Sequence, residues 1–519
     1  MRILAWHGWL LDGTGSNVYT AKAAEAWRRD GHDVVLVCQE PRAARMPFVD
    51  AVGTAGAHGV SDPEPTGAVA APGSVTVIRP DIGDLLPVFV FDEYEGFRRV
   101  VTFADLSEED LAAYLARNVA ALKAVAAWRP PDAVVAGHAV PGAVIARRAV
   151  GGGYVAKIHG SDLEYAMRVQ ERYRRLGEEG LSGAGLVVGA SDDVLARTVA
   201  AVPSVAGRTR RVEPGVELDR WRPLPRLAAL ETAATQLDAE PETARGRPSR
   251  LDSAVADRLQ HRDGAALDDL ARTYDQRAPD PDAPARLRAL TGYRGPLIGY
   301  LGKLIPQKGV ERVIEALALL GSDARALIVG FGLFREWLVA LVTALDRGDA
   351  EAAAWFRDTS PMRLELGPDE VRGAAGLASR ISFTGRLDHR FAPEAVAAMD
   401  VLVVPSTLDE AFGMVAAEGA AAGALPVVAR HSSLAEVAEA LEGAAGHPGL
   451  LSFEPGPGAT RRLIATLERI LELPPEERTA AREAVRRHVA SEWTWERTAE
   501  RLLTAAIDAR AAPAARSQG

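Results

Sequence analysis

The chain has 519 residues, 48% of them apolar and 25% charged, a composition expected of a soluble globular protein. That length is too great for one hydrophobic core, so two domains with insertions are the default. Lys and Arg total 60 against 70 Asp and Glu, and the net charge of −10 disfavours non-specific nucleic-acid binding and strong attraction to an anionic membrane.

The N-terminus enters a strand-like segment, Arg2–Trp6, and does not resemble a signal peptide. No apolar run approaches the ~20 residues that a bilayer span requires. These features point to a cytoplasmic protein, with membrane contact possible but not indicated. Cys38 is the only cysteine, which excludes a disulfide framework and a cysteine-built zinc site. It ends the apolar run Val34–Val37 and reads as a small buried residue rather than a reactive thiol.

Strand-like runs at Arg2–Trp6, Val34–Cys38, Val75–Arg79, Ala133–Gly137, Val155–His159 and Leu186–Gly189 alternate with helical patterns, notably Tyr19–Arg29 and Glu108–Trp128. Such alternation predicts parallel strands with crossover helices. Residues 41–73, rich in Ala, Gly and Pro, read as a surface loop. After the first strand, Gly13-Thr-Gly15-Ser16-Asn lets backbone approach a phosphate or sugar closely, although an ordinary strand–helix turn uses glycine too. Val18 breaks the full G-x-G-x-x-G pattern, which disfavours a nicotinamide cofactor. His159-Gly-Ser-Asp162 follows another strand, where a histidine either bonds a substrate hydroxyl or is a satisfied core residue. Arg168, Arg172, Arg174 and Arg175 on the next helix read as a solvated face, with an anionic acceptor site as the alternative.

From Leu224 to about Tyr293 the strand signals stop. The segment reads as an inserted helical or partly disordered element with no chemistry of its own. Alternation restarts at Pro296–Leu301, Ala326–Gly330, Ile381–Thr384, Asp400–Val404 and Leu425–Ala429, and the long connection 333–379 is expected to hold extra helices. Two successive α/β sheets imply a cleft between domains, with ligands at the carboxyl ends of the strands.

Three motifs follow those strand ends. Gly302-Lys303-Leu-Ile-Pro-Gln-Lys308-Gly309 sets two lysines on one loop; if they converge on a diphosphate they supply positive charge where a leaving group develops negative charge, making a metal unnecessary. Gly330-Phe-Gly332 and Gly385-Arg386 repeat the theme of close backbone approach. Glu410-Ala-Phe412-Gly413-Met414-Val-Ala-Ala-Glu418 carries two carboxylates eight positions apart, roughly 12 Å at the helical rise per residue. Between them a helix start offers backbone N–H groups to an anion. Each motif taken alone also has an ordinary structural reading.

Taken together, the Gly loop after the first strand, His-Gly-Ser-Asp, Arg211-Val-Glu-Pro-Gly-Val216, Gly-Lys-(x)4-Lys-Gly and E-x7-E resemble the retaining GT-B glycosyltransferases of glycosyltransferase family 4. The resemblance implies an α/β fold of two Rossmann-like domains facing across a cleft: residues 1–223 on the acceptor side, a 224–295 insertion, and a nucleotide-sugar domain at 296–485. A helix at 486–510 would pack back on the first domain, before a disordered tail at 511–519. It implies that Lys303 and Lys308 bind the donor diphosphate, with Lys303 standing where the family usually has Arg. Glu410 would contact hydroxyls of the transferred sugar, Phe412, Gly413 and Met414 would line sugar and phosphates, and Glu418 would hold the ribose. His159 would lie near the donor sugar, Gly13, Gly15 and Ser16 would face phosphate or acceptor, Gly330 would bind the donor, and Arg386 would flank the nucleobase by its backbone. Where the family often has a Gly pair, this chain has Ser432-Ser433. No metal or other cofactor is implied, and the acceptor is a small molecule, a saccharide or a lipid-linked hydroxyl compound. A phosphorylase-like relative and a non-catalytic scaffold of the same architecture are the competing readings.

Overall fold

The computed structural model describes all residues except 14, 91–93, 95, 241–251, 275–279, 322, 361, 363, 388 and 512–519. The chain forms two compact units, one of residues Met1–Gly215 with Trp493–Gly519 and the other of Val216–Glu492. Among the described residues no helix is long and apolar enough to cross a membrane.

The first unit is built on strands β1 (Arg2–Trp6), β2 (Asp33–Val37), β3 (Ala51–Gly56), β4 (Gly59–Val60), β5 (Glu64–Pro65), β6 (Ser74–Pro80), β7 (Leu85–Val88), β8 (Arg99–Thr102), β9 (Ala133–Gly137), β10 (Tyr154–Lys157), β11 (Ala184–Gly189) and β12 (Thr209–Arg211). The main sheet runs β12-β11-β10-β9-β1-β2-β6-β3-β4, with β5 on β3 and with β7 and β8 paired apart. Its central strands are parallel. They are buried almost throughout, as continuous apolar runs must be when helices cover both faces. Chain order reverses at β1, which pairs with β2 on one side and β9 on the other.

The reading of residues 41–73 as a surface loop is corrected by three strands in that span. Ala51–Ala55 pair in parallel with Thr76–Pro80. Asp50 fixes the entry to β3: it takes a bidentate pair from Arg28 at 2.7 Å and accepts from the Val75 amide at 2.8 Å. The pairing is supplied by neighbours distant in sequence, and an Ala/Gly-rich edge carries little β-propensity to announce it.

The helix Trp495–Ala511 covers the same unit. Trp27 Nε1 on helix Gly15–Arg29 donates to the Ala499 carbonyl at 2.9 Å. Small residues permit this docking: a Cβ on Gly185 would fall 2.1 Å from the Ala509 carbonyl oxygen, and one on Gly215 would fall 2.2 Å from the Trp495 nitrogen. Cys38 is fully buried, and burial pushes its thiol up to about 12, so it is unreactive.

The second unit carries the parallel strands β13 (Leu297–Leu301), β14 (Arg325–Val329), β15 (Ile381–Gly385), β16 (Val401–Val404), β17 (Leu425–Ala429) and β18 (Ser452–Phe453), in the order β15-β14-β13-β16-β17-β18. Here the order reverses between β13 and β16. The segment 224–295 contributes helices Arg226–Ala239, Asp252–Gln260, Gly264–Tyr274 and Ala283–Arg288. Helices Arg335–Asp346, Ala350–Thr359 and Pro368–Gly373 fill the long 333–379 connection.

Asp400, just before β16, binds the helical segments to the sheet. It accepts from the Leu297 amide at 2.9 Å, Arg226 of the first inserted helix at 2.5 Å, and Arg482 of helix Pro475–Glu492 at 2.8 Å. Burial alone would raise its carboxyl, but the Leu297 amide and the two guanidiniums outweigh that and hold it below the usual carboxylate range. A folded-state pKa below the unfolded value of about 3.9 gives stability that is fully present above that value and lost as pH falls through the folded one. Asp400→Asn is therefore expected to cost about 2 kcal/mol in urea unfolding at pH 7. The gap to wild type should close below about pH 4; an equal gap at pH 3 and pH 7 would refute the role of its charge.

Candidate functional site

In the second unit, the loops leaving β13 and β16 meet at the point where strand order reverses. Glycines set their approach. A Cβ on Gly330 would lie 2.1 Å from the Gly302 carbonyl oxygen, and one on Gly309 would lie 2.4 Å from the Pro405 carbonyl oxygen. The Thr407 amide donates to the Gln307 carbonyl at 2.8 Å. These contacts bring Lys308, at the end of the short turn Pro306–Lys308, against Glu410, with Nζ donating to Oε1. The two side chains keep 25% and 21% of their surface exposed, so the pair is open to an incoming polar ligand. The adjoining Lys303 is also partly exposed, and its carbonyl accepts from the Tyr300 hydroxyl at 2.8 Å.

Beyond Glu410 the chain does not continue as helix. Gly413 takes φ +97, a left-handed turn, and the helix starts at Met414 and runs to Ala422. The helical spacing used for the two carboxylates is corrected accordingly: of that span only Met414 to Glu418 is helical. Phe412 is buried under the turn. Glu418 is buried on the helix, and burial pushes its carboxyl up to about 8. One carboxylate thus stands in an ion pair while the other is protonated at neutral pH. Gly330 donates its amide to Gly385 at 2.9 Å, and the Arg386 guanidinium lies 4.8 Å over the Phe331 ring. Those loops and Lys308–Glu410 line the carboxyl ends of four adjacent strands.

The other candidates, Gly13, Gly15, Ser16 and His159, stand in the first unit. Gly13 has φ +87 with open space where a Cβ would be, and Gly15 and Ser16 begin the helix Gly15–Arg29. His159 follows β10 and packs against His138, with ring centroids 4.4 Å apart, and against Tyr19 at 5.5 Å. This cluster holds residues that motif reading missed. His7, after β1, donates to Asn17 Oδ1 at 2.8 Å, and burial pushes its pKa down to about 4. His138, after β9, has φ +71, a strained region for a non-glycine residue. Burial, reinforced by neighbouring His and Lys charge, holds His138 and His159 well below the usual histidine range. Lys157 is 2% exposed, and burial lowers its ammonium to about 7 despite the attraction of Asp162 and Glu213.

Tyr19 OH, His138 Nδ1 and Asp162 Oδ1 are buried without a hydrogen-bond partner, an arrangement that calls for a ligand or water. A pocket lined by Tyr19, Thr20, Gly137, Lys157 and His159 opens beside them. The strand-end positions of His7 and His138 were the available signal, because ligands in open α/β sheets bind outside the carboxyl ends of the strands.

The arginine cluster is a solvated, ion-paired face. Arg168 pairs with Glu164 at 2.9 Å, Arg172 with Glu108 at 3.0 Å, and Arg174 and Arg175 with Glu171 at 2.5 and 3.2 Å. Among the described residues, no group of three or more His, Cys, Asp or Glu side chains could hold a metal ion.

Residues 359–472 match the family model described as Glycosyl transferases group 1. The 2-deoxystreptamine glucosyltransferase of Streptomyces kanamyceticus is 30% identical over 210 residues, 38% of this chain and 44% of that protein. The GDP-mannose-dependent alpha-(1-6)-phosphatidylinositol monomannoside mannosyltransferase of Mycolicibacterium smegmatis is 34% identical over 144 residues, 26% of this chain and 36% of that one. The matched segments span less than half the length of these curated relatives. Among solved structures, sucrose-phosphate synthase of Thermosynechococcus elongatus superposes with TM-score 0.56 at 18% identity, covering 97% of both chains. Alr3699/HepE of Anabaena, in complex with UDP and glucose, gives TM-score 0.55 at 16% identity, covering 97% of this chain and 98% of that one. The two-domain α/β architecture is that of the GT-B glycosyltransferases.

The buried Glu418 carries a pH signature. Its folded-state pKa of about 8 lies above the unfolded value, so the unfolded chain ionises first and stability falls as pH rises from about 4.3 towards 8. Glu418→Gln removes that loss. The variant should match wild type near pH 4.5 and exceed it by up to about 4 kcal/mol at pH 7.5 in urea unfolding. A difference independent of pH would show that Glu418 is ionised in the folded protein.

Proposed function

We propose that this chain is a retaining glycosyltransferase of glycosyltransferase family 4. It moves a sugar from a nucleotide-diphosphate donor, UDP- or GDP-linked, to a hydroxyl acceptor. The observation that carries the reading is the Lys308–Glu410 pair at the strand-order reversal of the second unit. Lys308 is a fixed cation for the departing diphosphate, and Glu410 is a hydrogen-bond acceptor for sugar hydroxyls. The names of the relatives support the donor class: one uses GDP-mannose and another is a glucosyltransferase. The UDP and glucose bound to the Anabaena protein of the same fold agree with it.

In this reading the lysines stabilise the leaving group electrostatically, which is the basis for proposing independence of metal. The transition state is oxocarbenium-like, as in other glycosyl chemistry. Glu410 is engaged with Lys308 and does not act as a nucleophile. The acceptor therefore attacks from the face that the diphosphate leaves, and its proton passes to the departing phosphate oxygen. The chain's contribution is positioning and charge stabilisation. Glu418, neutral by burial, holds the ribose hydroxyls. The first unit receives the acceptor beside His7 and His159, where the partnerless polar atoms of Tyr19, His138 and Asp162 suit a polyhydroxylated molecule.

Lys308→Ala should lower turnover by roughly 10²–10³-fold while its circular dichroism matches wild type, and a variant that keeps full turnover overturns the assignment. Calorimetry of the wild type with UDP, GDP and ADP, each with a metal chelator present, should show binding of one nucleotide and name the base. Binding of none by folded protein would favour the scaffold reading.

A further inference from the structure

Ser432 combines two features unusual for a serine in a folded protein. It is one of three non-glycine residues among those described with positive φ, at +45, a conformation that costs an ordinary side chain stability and that glycine would adopt freely. Its Oγ is buried and has no hydrogen-bond partner, although serine hydroxyls rotate readily to find one.

Its neighbours in the second unit tie it to the loop that carries Glu410. Ser432 opens the helix Ser432–Ala445, and the residues around it all grip the loop that carries Glu410. His431 Nε2 donates to the Ser406 carbonyl at 2.7 Å, and Ser433 Oγ donates to the Glu410 carbonyl at 2.9 Å. Leu434 packs on Gly413 so closely that a Cβ there would lie 2.5 Å from its Cδ2. Ser432 is held between these contacts, beside the residue proposed to meet the sugar.

We infer that Ser432 is a specificity-determining residue for the transferred sugar, its Oγ exchanging a hydrogen bond with a ring hydroxyl of the donor held at Glu410. The inference rests on the function proposed above. It assigns the strain a purpose: a glycine would fold better and leave that hydroxyl unread.

The test compares Ser432→Ala and Ser432→Gly with wild type, using the nucleotide sugar the wild type turns over best and its monodeoxy analogues. Both variants should lose roughly 10–100-fold in kcat/KM for the full sugar. Their Kd for the free nucleoside diphosphate should be unchanged, because it lacks the sugar. The loss should vanish for the one deoxy donor that lacks the partner hydroxyl. Ser432→Gly should also raise Tm by relieving the backbone. Unchanged kcat/KM in an active enzyme overturns the inference alone, as does a loss shared equally by the free diphosphate, which marks a structural role. A wild type that binds no nucleoside diphosphate overturns both this inference and the function beneath it.

Discussion

In a parallel sheet covered on both faces, the loops leaving two adjacent strands turn apart wherever the order of the chain reverses, because their helices lie on opposite sides. The gap this leaves is a consequence of connectivity and exists before any functional side chain is chosen. Both units have such a point, β1 beside β9 in the first and β13 beside β16 in the second. The chain has put its polar chemistry at each: His7 and His138 leave the strands at one, and Lys308 and Glu410 leave the strands at the other. A reversal elsewhere in either sheet would scatter these residues among unrelated loops.

The two places differ in how charge is handled. Lys308 and Glu410 neutralise each other while retaining contact with solvent, so a ligand can compete for either partner without exposing a bare buried ion. In the first unit, Lys157, His138, His159 and Asp162 are taken out of water with few partners, and each is driven towards its neutral form. A neutral histidine can accept as well as donate a hydrogen bond, whereas a paired lysine offers only charge and donors. The division suits a hydroxyl compound on one side and an anion on the other.

Much of this was legible in the sequence, because short apolar runs bounded by glycine mark buried parallel strands and their ends. The runs at Arg2–Trp6, Ala133–Gly137 and Leu425–Ala429 coincide with β1, β9 and β17 to the residue. Lys308 and Glu410 could be singled out as strand-end residues, but their contact spans about a hundred positions and needed the sheet order to become visible. What escaped notice depends on distant partners. The strands β3 to β5 hold few β-formers, Val52, Thr54 and Val60 among Ala, Gly, Glu and Pro, and are held in place by β6 and the Arg28–Asp50 pair. Lys157 sits in an apolar strand with no pattern to mark its ammonium as buried. The left-handed turn at Gly413, which separates Glu410 from the helix, is also invisible to a count of residues.

The first unit is completed by the helix Trp495–Ala511, whose Ala499 and Ala509 meet Trp27 and Gly185, and whose Leu502 lines the pocket beside Lys157. On the ribosome, that pocket cannot close when its own strands emerge. The whole of the second unit must be translated first, a delay of tens of seconds at ordinary elongation rates. Throughout that interval Tyr19 and Trp27 lack their covering helix, and the nascent first unit presents an apolar face to solvent. Its surfaces at Gly185 and Gly215, kept free of side chains for a helix that follows the second unit in sequence, make this chain's assembly depend on the order of its synthesis.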